Sequence, residues 1–441
     1  MTDKIIHDPV HGSILVDGMF LDLVNRHEIQ RLRCIKQLGL SSLVFPGANH
    51  TRFEHSIGTY HLAGRMSRTC SLNRGDSDTV RAAALFHDVC HPPFSHTLES
   101  VLEEVTGCDH MELSRRLIHG TVPTYMERDE GVLGGTEPVS VIIEDNGISP
   151  DEVCDLIMKP VSDPSGLDVF TQGEGSQSFF SSKDYMHQII HGPVDADQMD
   201  YLMRDAHYTG VNHGAIDTER ILGQMMCLNG KIVLRKGGIP AAEGLMVSRS
   251  LMYSSIYYHK TVKIVEAMLR RAVELSGLDL SELYLMADHD LLSSLISSGG
   301  RSAELTGMIL RRQLFKKAYV AYHVDLGDRA KATLVGYSTK KGRRKLEEEI
   351  ADASGTDPGD IIVDIPSESV LLSKIRIGKT DVSIADGDKV RSITRYSSLA
   401  KSLQARDTID WAVMVSAPDD VSEKVGAAAR RVLSLDDSDR F

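Results

Sequence analysis

The sequence predicts a mainly α-helical protein with a smaller C-terminal α+β domain. Three observations carry this. Apolar residues recur at threes and fours in several long stretches before residue 276, the spacing of one helix face. Proline and glycine stand where such stretches should end. After about residue 325 the pattern changes: glycines at 336, 342, 355, 359, 378 and 387 interrupt short β-prone runs. The expected division is a helical domain over 1–325 and an α+β domain over 326–441 with a regulatory or oligomerisation role.

Residues 4–17 alternate loosely around Pro9 and Gly12, as a short hairpin does. From Met19 to Leu38 the positions Phe20, Leu23, Val24, Ile35 and Leu38 give a helical stripe. A second stripe covers Val80 to Phe86 and must stop by His91-Pro92-Pro93. Ser149-Pro150-Asp151-Glu152 has a serine cap, proline in the first turn and an acid three residues on, so a helix should begin there. The longest helix is expected from about Ser248 to Leu275, with Gly277 as its stop. In the C-terminal part, helices at 340–353 and 421–433 flank β-prone runs at 361–363, 380–384 and 409–415. The basic block Lys340 to Lys345 runs into Glu347-Glu348-Glu349 and reads as a solvated helix start.

Composition excludes several function classes. A net charge of -13 argues against general nucleic-acid binding, which needs a basic surface. Six scattered cysteines without a CxxC pair suit reduced thiols in a cytoplasmic protein. The first residues lack an apolar signal core, and no run approaches the ~20 apolar residues of a membrane helix, so no membrane partner is expected.

The histidines are unevenly placed. Seven of eighteen fall between His50 and His110, where an even spread would give about 2.5. A lone His87-Asp88 pair would be weak evidence for a metal, because such dipeptides arise by chance. The odds change with His55 upstream and the acidic run Asp195 to Asp205 downstream. On a helix there, Asp197, Tyr201 and Asp205 are four apart and share a face. Two imidazoles with two carboxylates suit a borderline or hard divalent ion, such as Mn, Fe or Mg, with positions left open for water and phosphate.

Several ordered strings then point to one family: Asp8-Pro9-Val10-His11-Gly12, the run from Gln30 to Gly39, Phe45-Pro46-Gly47-Ala48, Arg52-Phe53-Glu54-His55-Ser56, Phe86 to His96, and Val194 to Tyr201. With Ser248-Arg249 and Tyr257 to Lys260, they resemble the HD-domain phosphohydrolases over roughly residues 4–275. More narrowly they are similar to the deoxynucleoside triphosphate triphosphohydrolases of the sterile-alpha-motif and HD-domain type, with no sterile-alpha-motif domain expected here. The resemblance implies an HD-domain helical core whose metal ligands are His55, His87, Asp88 and Asp197, holding Mn, Mg, Fe, Ni or Zn. It implies Arg52 on the substrate phosphates, and His96 and His110 beside the scissile bond with Glu99 as their acidic partner. Gln37, Leu38, Tyr201 and Asp205 would surround the sugar, Arg249 and Tyr257 would add phosphate and nucleoside contacts, and His91 would touch substrate or support the site. His50 and His61 read as structural. A dimer or tetramer is the family expectation.

The chain also departs from that family. Gln198 stands where close relatives have a phosphate-binding lysine, and Met111 follows His110 where relatives place glutamate, with the acid displaced to Glu112. Asn25 and His7 differ at a guanine-reading regulatory pocket of which Gln30 and Arg33 are kept. The expected activity is cleavage of dNTPs to deoxynucleoside and triphosphate. Alternatives are hydrolysis of a monophosphate or cyclic nucleotide, or nucleotide sensing without turnover.

Overall fold

The computed structural model describes residues 3–158, 184–366, 381–404 and 411–435. Thr380 and Gly378, and the start of the last predicted strand at Ile409-Asp410, lie outside them. The hairpin forms as expected: β1 (Lys4–Asp8) pairs antiparallel with β2 (Gly12–Val16). Its turn closes on Asp8, whose Oδ1 accepts the backbone N–H of Val10 and His11 at 2.9 and 2.8 Å. Gly12 supplies the positive φ, +73°.

The stripe from 19 to 38 is not one helix. It divides into α1 (Met19–Val24), α2 (His27–Arg31) and a 3-10 turn. Arg26 breaks it by taking extended backbone (ψ 141°) while its guanidinium pairs with Glu28 at 2.7 Å. Helix α3 (Arg52–Thr69) opens with a capping box, in which Thr51 and Glu54 satisfy each other's backbone N–H groups. It packs on α4 (Arg74–Phe86), which ends with His87 as its C-cap, sooner than Pro92 requires. After a short turn come α5 (Glu99–Thr106) and α6 (His110–Ile118). Ser149 caps the helix Pro150–Ile157 as read, with its side chain on Glu152 N–H.

The acidic run forms the helix Ala196–Thr209, capped by Asp195 and packed on α3. Contact there is close enough to require glycine. A Cβ on Gly58 would stand 1.8 Å from Asp200 Oδ1 and 2.5 Å from Arg204 Nη2. The predicted 248–275 helix is interrupted: Ile239–Met252 and Lys260–Ser276 are joined by a π-turn at Tyr253–Tyr257. Tyr257 hydroxyl holds that wide turn on Asp205 at 2.7 Å, a tertiary contact that periodicity does not show. Gly277 ends the second helix at φ +64°.

Two further sheets stand among the described residues. In the first, β5 (Lys316–Tyr322), β9 (Trp411–Ala417) and β6 (Ile362–Asp364) run antiparallel in the order β5-β9-β6. The helices Lys340–Ser354 and Ser422–Leu433 cover it around Leu346, Ile350, Val413, Val415 and Val425. In the second, β3 (Met225–Leu228) and β4 (Lys231–Leu234) join β7 (Ser383–Asp386) and β8 (Lys389–Ser392), with Leu234 opposite Ile384. The C-terminal strands thus begin at Lys316 and reach back to Met225, and Ile384 and Trp411 share the main core. A boundary at 325/326 stays a proposal about function. Of the basic block, Lys340 pairs with Glu104 at 2.9 Å and Arg344 with Glu347 at 3.0 Å, so acidic neighbours offset those charges. Among the described residues no helix is long and apolar enough to cross a membrane.

Candidate active site

Three helix ends converge on one cluster. His55, one turn into α3, His87-Asp88 at the end of α4, and Asp197 in the first turn of 196–209 meet there. Asp197 Oδ1 lies 3.0 Å from His55 Nε2 and 3.7 Å from His87 Nε2, while Asp88 Oδ2 lies 3.6 and 3.5 Å from the same two nitrogens. The far side of each ring is already engaged. His87 Nδ1 donates to Ala84 O at 2.8 Å, which leaves Nε2 as the acceptor nitrogen. That Nε2 is buried and finds no hydrogen-bond partner among the described residues. His55 Nδ1 faces Asp200 Oδ2 at 2.8 Å. Two oriented imidazoles, two carboxylates and one orphaned nitrogen fit a divalent ion.

Charges in the cluster are strongly coupled. Burial disfavours the imidazolium of His55, but Asp197 and Asp200 outweigh it and lift the group to about 10. Burial likewise opposes ionisation of Asp197, and the two histidines reverse this and hold it well below the usual carboxylate range.

Residues that sequence reasoning passed over support the cluster. Arg204 is buried and holds Asp200 through two contacts of 2.9 Å, and its Nη1 reaches Asp8 Oδ2 at 2.8 Å. His11 Nε2 lies 2.6 Å from Asp200 Oδ1. The hairpin turn, the acidic helix and His55 thus form one network across Gly58. An acid and an arginine four apart inside that helix, Asp200 and Arg204, were the local signal.

Beside the cluster is a second group. Glu99 sits between two histidines, Oε1 at 2.6 Å from His110 Nδ1 and Oε2 at 3.1 Å from His96 Nδ1. Burial raises the Glu99 carboxyl, but these partners more than reverse that and keep it ionised. His110 stacks on His91 with centroids 4.0 Å apart, and His91 Nε2 lies 3.3 Å from Asp88 Oδ1. Glu112, by contrast, pairs with Arg115 and Arg116, so it is Glu99 that orients His110. His96 is exposed, whereas His91 and His110 are buried.

A cavity of about 520 Å³ opens over the cluster. Of the predicted residues, Gln37, Leu38, Arg52, His55, Asp88, His96, Asp197, Tyr201, Asp205, Arg249 and Tyr257 line it. His87, His91, Glu99 and His110 are not in its wall. Asp205 is fully engaged: Oδ1 lies 2.8 Å from His50 Nε2, and Oδ2 accepts the Tyr257 hydroxyl. His50 therefore braces a wall residue. Arg52 pairs with Asp88 and donates from Nε to Ser95 Oγ at 2.8 Å. Five buried polar atoms on four residues of this wall find no partner among the described residues: Arg52 Nη2, Arg249 Nε and Nη1, Gln37 Oε1 and Gln198 Oε1. Buried groups of this kind are normally satisfied, so a polar occupant that offers both acceptors and donors fits the wall.

A helical fold that gathers two histidines and two aspartates over such a cavity defines the metal-dependent hydrolases of the HD type. The chain belongs to the HD-domain family: residues 52–158 match the HD domain, and residues 216–440 match the HD associated region. An uncharacterized protein of Methanocaldococcus jannaschii is 33% identical over 94% of this chain and 79% of its own length. The deoxynucleoside triphosphate triphosphohydrolase SAMHD1 homolog of Dictyostelium discoideum is 30% identical over 61% of this chain, which spans about half of that relative (49%). Among solved structures, a phosphohydrolase from Bacteroides thetaiotaomicron superposes over 94% of this chain and 99% of its own with a TM-score of 0.67 at 24% identity, a likeness of fold.

Proposed function

We propose that the protein is a metal-dependent dNTP triphosphohydrolase, cleaving at the α-phosphorus to release deoxynucleoside and inorganic triphosphate. The observation that carries this is the shared cavity, which Arg52 and Arg249, each with buried guanidinium nitrogens unpartnered among the described residues, line together with His55, Asp88 and Asp197. Relatives named as dNTP triphosphohydrolases support the substrate class. In this reading His55, His87, Asp88 and Asp197 hold the ion, which supplies Lewis acidity and a lowered pKa for the attacking water. Arg52 and Arg249 bind the phosphates and offset charge that develops on their oxygens. Gln37 and Leu38, with Tyr201 and the Asp205–Tyr257 pair, hold the sugar.

His110 gives a proton to the departing 5′-oxygen, oriented by the ionised Glu99. His96 shares that carboxylate at the cavity rim. His91 supports Asp88 from behind. The proposal extends to a cytoplasmic homo-oligomer. Metal-loaded protein incubated with dNTPs, NTPs and dNMPs, with products separated by chromatography, tests the activity. Triphosphate and deoxynucleoside are expected from dNTPs. Orthophosphate from monophosphates would favour a different HD phosphohydrolase, and binding without product would favour a sensor.

A further inference from the structure

Two chain segments face each other across the cavity wall, 36–39 and 94–97, and what joins them lies outside the wall. Phe94 and Ser95 both have φ +57°, a left-handed conformation that non-glycine residues keep only when their surroundings impose it. A carboxylate far along the chain is hydrogen-bonded to this turn. Asp288 Oδ1 accepts the N–H of Phe94 at 2.8 Å, and Asp288 Oδ2 accepts the N–H of Lys36 at 3.0 Å. It is 9% exposed and stands in the first turn of the helix Asp288–Ser297.

The consequence passes through one hydroxyl. Ser95 Oγ donates to Lys36 O at 2.8 Å and accepts from Arg52 Nε at 2.8 Å, so the strained turn sets where the guanidinium of Arg52 lies. The segments touch backbone to backbone: a Cβ on Gly39 would stand 2.9 Å from Phe94 O. Arg31 ties the same region from below. It donates to Val89 O and His91 O at 2.7 and 2.9 Å, and to Met286 O at 2.6 Å.

We propose that Asp288 is a positioning residue of this site. By holding Phe94 and Ser95 in their left-handed turn, it fixes where the guanidinium of Arg52, a residue of the cavity wall, stands for contact with an anionic substrate. This rests on Arg52 as a phosphate contact, as in the proposed function.

The test uses metal-loaded, full-length protein with Asp288→Asn, which keeps the volume but replaces one acceptor by an NH2 group. Two quantities are read: kcat/KM on dNTPs, and the affinity for inorganic tripolyphosphate by calorimetry. The expected result is a loss in kcat/KM on the order of 10²-fold, as misplaced catalytic groups give, with weaker tripolyphosphate binding and unchanged metal content. Ser95→Ala should cause a similar loss, and the double variant no more than the worse single, because both act through one turn. Wild-type values for Asp288→Asn, or losses that multiply in the double variant, would overturn the assignment. If Asp288→Asn does not fold, Asp288→Glu takes its place under the same criteria. A wild type that hydrolyses no dNTP would sink the proposed function, while the tripolyphosphate arm would still decide the role of Asp288.

Discussion

The two halves of the site are built on opposite terms. On the metal side the polar atoms form a connected network: His55 leans on Asp200, Asp200 on Arg204 and His11, and Arg204 on Asp8, with His87 Nε2 among the few atoms unpartnered within the described residues. On the substrate side the wall keeps several buried groups unmatched, two nitrogens of Arg249 among them. A connected network makes a rigid holder for a small ion, and partial satisfaction makes a receptor for something larger. The same physics, the cost of an unpaired buried polar group, serves both.

Disrupting the holder should cost most. Gly58→Ala forces a Cβ into the Asp200–Arg204 contact, so we expect about 3–5 kcal/mol of lost stability and lost metal, checked by denaturant unfolding and metal analysis. A variant that keeps full metal content would show that the network is not what holds His55.

His110→Ala, just outside the holder, should separate the halves. Turnover is expected to fall by about 10²–10⁴-fold while metal content stays at the wild-type value. Loss of the metal would place His110 in the first half instead.

Proton release gives a subtler measure. In the metal-free protein His55 is held protonated up to about pH 10, and a metal needs its neutral nitrogen. Metal affinity should therefore rise with pH below that value, roughly tenfold per unit for each proton expelled. Titration calorimetry in buffers of different ionisation enthalpy reads the number directly. No released proton would contradict the coupling.

The smallest effect is expected at Arg249. Arg249→Met removes a buried charge with two unpartnered nitrogens, so thermal stability should rise slightly while kcat/KM for dNTPs drops about tenfold. A drop in both would mean that Arg249 is a structural ion.

Much of this comparison was visible in the sequence, but not evenly. The 197/201/205 face follows from local helical spacing, while His55 and His87-Asp88 stand out by the crowding of histidines and take their expected role from the family resemblance. The hairpin, the Ser149 cap and the Gly277 stop are local as well. What escaped joins distant segments: Asp200 meets His55 across 145 residues, Arg204 meets Asp8 across 196, and Asp288 meets Phe94 across 194. Nothing local marks Gly58, because only its neighbours across the contact, Asp200 and Arg204, require a glycine there. The break at Tyr253–Tyr257 was missed because its apolar period carries through, while the Tyr257–Asp205 bond that widens the turn is tertiary.

The central claim is that water attacks the α-phosphorus and the 5′-oxygen leaves with the deoxynucleoside. Hydrolysis of a dNTP in ¹⁸O-labelled water, followed by mass spectrometry of both products, tests it most directly. The account predicts one labelled oxygen in the inorganic triphosphate and none in the deoxynucleoside. Label in the deoxynucleoside, or release of orthophosphate or pyrophosphate in place of triphosphate, would contradict it.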